Sequence, residues 1–72
     1  MDELKIIGSN IALQRKKRKL TQEDFAGLAN LDRSYLSEIE NGHKNISITM
    51  FLTIARTLEV SPQILLEGIE TR

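Results

Sequence analysis

Apolar residues recur along this chain at helical rather than strand spacing almost everywhere. Leu4, Ile7, Gly8 and Ile11 fall at i, i+3, i+4 and i+7 and predict a first helix over about residues 2–18. Thr21 is a good N-cap, with Asp24 three residues on as an imperfect capping box. Phe25, Ala26, Leu28 and Ala29 then make the buried stripe of a second helix over about 21–29. Asn30 ends it, because asparagine tolerates the left-handed conformation common after a helix. Asp32 caps a third helix, about 32–41, with Leu36 and Ile39 on its inner face and a stop at Asn41-Gly42. An Asn-Gly pair also closes β-hairpins, but its flanks here lack strand alternation.

The stretch from Ile46 to Met50 does alternate, as a short strand would. The longer window favours a helix, since Ile48, Phe51, Leu52, Ala55 and Leu58 keep helical spacing behind Ser47 as N-cap, over about 47–58. Ser61-Pro62 is another start signal, and Ile64, Leu65, Leu66 and Ile69 would fill a fifth helix over about 61–69. With no repeat, low-complexity tract or linker, residues 1–72 read as one all-α domain of five helices.

Length sharpens this picture. A chain of 72 residues buries only about 60% of its unfolded surface, so its fold needs unusually tight packing, a staple or a partner. There is no cysteine, and the single histidine, His43, cannot hold a structural zinc alone. Tight helix packing, oligomerisation or both remain. No apolar run approaches the roughly 18–20 residues of a membrane span, and Met1-Asp2-Glu3 is unlike a signal peptide. A soluble, cytoplasmic location is the expectation.

Net charge is zero, which argues against a generic polyanion binder, but its distribution is uneven. Residues 1–36 carry +2 and residues 37–72 carry −2, and five positives are contiguous from Arg15 to Lys19. Such an asymmetry orients a molecule in the field of a nucleic acid, although an isolated basic run is as often a solvated surface.

The middle of the chain decides between them. Two short helices, joined by a two- or three-residue turn, follow each other at about 21–29 and 32–41. The first has small inner residues, Ala26 and Ala29, which permit close crossing, and the second shows Arg33, Ser34, Tyr35 and Ser37 outward. This is the pattern of a helix-turn-helix, whose second helix enters the major groove. The chain resembles the lambda-repressor-like (Xre) helix-turn-helix family over about residues 7–67. The resemblance rests on Leu20 to Ala26, Leu31 to Ser37, Ile39 to Gly42 and Ala55 to Pro62, four segments in order. Within the family it looks most like the controller proteins of restriction–modification systems, chiefly over Asn30 to Ser37. It departs from the family pattern at Ile46-Ser47, where proline is common, and at Asn30 and Glu59, where glycine is common.

Expected roles follow from the assignment. Arg33, at the first turn of a groove-inserted helix, suits guanine O6 and N7, with an exposed pairing to Glu23 or Asp24 as the plain alternative. Ser34 and Ser37 suit base or phosphate, and Tyr35 suits either DNA or packing against the neighbouring helix. Gln22, Arg18, Lys19, Asn41, Lys44 and Asn45 are the candidate phosphate contacts. His43 is expected to be merely exposed, and Lys16 and Lys17 to supply diffuse field. The resemblance places Arg15 beside Glu40 as a partly buried ion pair between helices one and three.

One reading helix covers only a few base pairs, so the resemblance implies a homodimer on a pseudo-palindromic operator. Met50, Ile54, Ile64, Leu65 and Ile69 exceed what one small core plausibly absorbs and are the expected interface. An enzyme is not expected, since no Gly-rich loop, cysteine or spaced base is present. No cofactor, metal or small-molecule ligand is implied. By analogy Glu23 and Asp24 are candidates to touch RNA polymerase. A phage-type repressor, an antitoxin or a protein-binding helical module are the rival readings.

Overall fold

The computed structural model describes residues 2–69, so Met1 and the last three positions of the expected 1–72 unit lie outside the described residues. Four α-helices follow in order: α1 (Glu3–Lys17), α2 (Gln22–Ala29), α3 (Arg33–Glu40) and α4 (Ile48–Leu58). No strand occurs among the described residues. Each helix starts where a short polar side chain accepts from its first turn. Asp2 accepts from the Lys5 amide, Asp32 from the Tyr35 amide and Ser47 from the Met50 amide. At α2 the capping box is complete: the Asp24 amide donates to Thr21 Oγ1 at 3.0 Å and the Thr21 amide to Asp24 Oδ2 at 3.2 Å.

The helix ends share one device. Lys19, Asn30, Gly42 and Glu59 all take positive φ, between 58° and 77°. The residue after each donates its amide back into the last turn: Leu20 to Arg15, Leu31 to Ala26, His43 to Glu38 and Val60 to Ala55. This is the Schellman pattern, which satisfies otherwise orphaned carbonyls. Leu20, Leu31 and Val60 pack against the core, so an apolar residue seals the three ends whose turn is not made by glycine. Asn30 and Glu59 thus take the left-handed turn without the glycine common in that place.

Ile11, Phe25, Leu36, Ile54, Leu58 and Leu65 are fully buried at the centre. Packing of α1 on α3 is unusually close, with Gly8 set against the Ile39 and Glu40 carbonyls. The small Ala26 and Ala29 of α2 are buried in the same core.

Two expectations are corrected here. The fifth α-helix over 61–69 is instead a 3₁₀ helix, Pro62–Leu66. Ser61 does cap it, but Asn10 Nδ2 donates to the Leu65 and Glu67 carbonyls, both at 2.9 Å. The Leu65 carbonyl is the one an α-helix would offer to Ile69, whose amide turns to Leu66 instead. The expected interface also changes. Ile54 and Leu65 are 0% exposed and belong to this chain's own core, so they cannot offer a surface to a second copy. Met50, Ile64 and Ile69 are half-buried.

Candidate nucleic-acid interface

α3 divides its eight residues sharply. Leu36, Ile39 and Glu40 face inward, while Arg33 and Ser34 are exposed and Tyr35 and Ser37 half-buried. The Tyr35 ring packs against the core, so of its two expected uses the packing one is realised in the free chain. The remaining polar edge of the helix is uncovered by the rest of the described chain.

Beneath it lies a side-chain network joining three helices. Arg15 donates from Nε to Glu40 Oε2 at 2.7 Å and from Nη2 to Glu40 Oε1 at 3.0 Å. Its Nη1 donates to the Leu20 carbonyl at 2.7 Å, in the connection to α2. Both side chains of the pair are more than nine-tenths buried. Such a bidentate pair is geometrically specific, and its desolvation offsets most of its attraction. Gln22 Nε2 also donates to Glu40 Oε1, at 2.9 Å, and Gln22 Oε1 accepts from Arg33 Nη1 at 3.1 Å. Arg33 therefore meets Gln22, not Glu23 or Asp24; Asp24 is engaged in the capping box. Among the described residues no buried side-chain nitrogen or oxygen lacks a partner.

The basic run is divided by the fold. Arg18, a candidate phosphate contact, turns toward α4, where its Nη1 donates to the Leu58 carbonyl at 2.8 Å and to Glu59 Oε1 at 3.0 Å. It ties the end of α1 to the end of α4 within the chain. Lys16 was expected only to supply diffuse field, yet it lines a cleft of about 470 Å³ together with Ser9, Gln22 and Asn41. A signal for it was present: positions 9, 12, 13 and 16 share one helical face, and small residues at two of them leave that face open. Lys19, Asn41, Lys44 and Asn45 are exposed. His43 is exposed too, with its Nδ1 3.3 Å from Glu38 Oε2.

A short helix pair with an exposed polar second helix, buttressed from below, defines a helix-turn-helix unit. Residues 11–65 match the Helix-turn-helix family, and the chain belongs to it. Within that family it is similar to control protein C.MunI of Mycoplasma sp, 38% identical over 72 residues that cover 97% of each chain. Among solved structures it is similar to the restriction-modification controller protein C.AhdI from Aeromonas hydrophila. That match has a TM-score of 0.85 and 34% identity, over 90% of this chain and 98% of the other. It also matches the controller protein C.Esp1396I, solved as a tetramer in complex with its natural 35 base-pair operator. There the TM-score is 0.82 at 36% identity, over 93% of this chain and 88% of that one.

Proposed function

We propose that this chain is a transcription regulator of the restriction–modification controller type that reads an operator duplex with α3. The observation that carries the reading is the uncovered polar edge of α3, with exposed Arg33 at its first turn. Arg33, Ser34, Tyr35 and Ser37 meet base edges, and Lys16, Lys19, Asn41, Lys44 and Asn45 flank them toward the phosphates, while the Gln22 amide is engaged by Glu40 and Arg33. Residues 1–72 act as one such unit. Selection from a random duplex pool, followed by footprinting upstream of its own gene, tests this. Binding should be sequence-selective and fall steeply with salt through counterion release. A chain that selects no sequence, or that binds a protein partner with no salt dependence, would overturn the reading.

Operator binding is by a homodimer, as one α3 spans too few base pairs for an affinity of about 10⁻⁸ M. The face that supports this reading differs from the expected one. Ile48 is 74% exposed, and Leu52 and Leu66 are about two-fifths exposed. An apolar groove of about 290 Å³ runs beside them between Leu4, Ile7, Ile46, Phe51 and Leu66. Of the interface residues expected from the sequence, Met50, Ile64 and Ile69 keep part of their surface, with Met50 on the opposite side of α4 from Ile48. Sedimentation at micromolar concentration tests the dimer; a monomer there would count against it.

Glu23, exposed on α2, and Asp24 beside it supply an acidic surface for RNA polymerase when the bound protein activates. Replacing both and retaining activation would end that assignment. Among the described residues no helix is long and apolar enough to cross a membrane, and the proposed site of action is the cytoplasm, where the operator is.

A further inference from the structure

Gln22 bonds at one end to a buried carboxylate and at the other to an exposed arginine. We propose that the buried Arg15–Glu40 pair acts through Gln22 to position Arg33, so that a carboxylate out of reach of DNA helps set which base is read. This rests on Arg33 being the base-reading residue.

The chemistry admits one arrangement. An ionised carboxylate only accepts, so Gln22 must turn its NH2 toward Glu40 and its oxygen outward. A guanidinium only donates, so that outward oxygen suits Arg33. The reverse orientation would set oxygen against carboxylate and leave nothing to accept from Arg33. A glutamate at position 22 would repel Glu40, and an apolar residue would bond neither partner. Glu40 is itself immobile, because Arg15 holds both its oxygens and is anchored in turn on the Leu20 carbonyl. One end of the relay is therefore fixed in the core, and the other is the flexible residue at the surface.

Only one of the five N–H groups of Arg33 is used by Gln22, so a donor pair remains for the two acceptors of a guanine edge. A long exposed side chain ordered before binding loses less freedom in the complex, and its geometry discriminates better. The ion pair contributes little net stability once desolvation is counted. What it supplies is a fixed acceptor edge on which the reading arginine is aligned.

The test uses the full chain, a duplex it selects from a random-sequence pool, and a scrambled duplex of equal length. Gln22→Met keeps side-chain length and packing but can neither donate to Glu40 nor accept from Arg33. The expected result is an unchanged melting temperature and unchanged affinity for the scrambled duplex. Preference for the selected duplex falls about tenfold, at the same base pair where Arg33→Ala loses discrimination. Glu40→Gln loses preference at that base pair too, and the Gln22→Met/Glu40→Gln double variant loses no more than either alone. If Glu40→Gln does not fold, Gln22→Met decides by itself. Retained preference in Gln22→Met overturns the proposal. So does an equal weakening on both duplexes at an unchanged salt slope, which makes Gln22 an uncharged phosphate ligand only. Failure of the underlying reading looks different: Arg33→Ala would then keep the wild-type preference.

Discussion

Two helical glycines should respond to alanine with opposite signs. Gly8 lies inside α1, and a Cβ built there would stand 2.3 Å from the Ile39 carbonyl oxygen and 2.6 Å from that of Glu40. Real Cβ atoms essentially never come within 3.0 Å of such neighbours, and both atoms are backbone at the end of α3, so no flexible side chain can give way. α1 and α3 would have to part by about 1 Å, an overpacking that costs about 3 kcal/mol when the obstacle is rigid. Alanine returns about 1 kcal/mol through helix propensity, leaving a net loss of about 2 kcal/mol. For a domain of this size that lowers the melting temperature by about 8–16 °C. Gly27, in α2, has nothing within 4 Å of its missing Cβ, so there propensity acts alone. Gly27→Ala should therefore gain about 1 kcal/mol and raise the midpoint by about 4–8 °C. Thermal unfolding followed by circular dichroism measures both, at one protein concentration because the proposed dimerisation would shift the midpoint. A Gly8→Ala midpoint at or above wild type would refute the close approach of α1 and α3 on which the placement of α3 depends.

Further expectations concern the core, the surface and the helix ends. Ile54→Ala should cost about 2–5 kcal/mol in denaturant unfolding as a core truncation. Leu52→Lys, on the exposed side of α4, should leave the monomer's stability nearly unchanged and shift sedimentation toward the monomer. Glu59→Gly relieves a left-handed residue that costs about 1–2 kcal/mol and gives up only a surface pair to Arg18 worth less than about 1 kcal/mol. Its melting temperature should rise by a few degrees; a fall would make Arg18–Glu59 the stronger term. Lys16→Ala should weaken selected and scrambled duplexes alike and lower the slope of log K on log salt by about one. An unchanged slope would remove Lys16 from the phosphate contacts.

The local signals in this chain were legible because they act over a turn or two. Thr21, Asp32, Ser47 and Ser61 cap the next segment with their own side chains, and the apolar spacing of each segment names the face it buries. The left-handed end at Asn30 and the polar edge of α3 belong to the same short-range order. From these the helix pair and the exposed arginine that opens its second helix were legible in the sequence. The fifth helix failed because its continuation depends on Asn10, more than fifty residues away in the chain, whose amide takes the Leu65 and Glu67 carbonyls.

Composition could count the apolar residues of the C-terminal third but could not apportion them. Ile54 and Leu65 look no different in sequence from Ile48 and Leu66, yet one pair fills the core and the other reaches the surface. Likewise Arg18 and Lys16 are near neighbours in one basic run, and only the packing of α1 against α4 and α3 sends one to the Leu58 carbonyl and the other into the cleft. Sequence by itself determined which segments are helices, where they begin, and that one of them offers a polar edge led by Arg33. Tertiary structure alone decided which partner each long side chain meets, because that choice is made by how rigid helices cross. The link from Glu40 through Gln22 to Arg33 exists only at such a crossing.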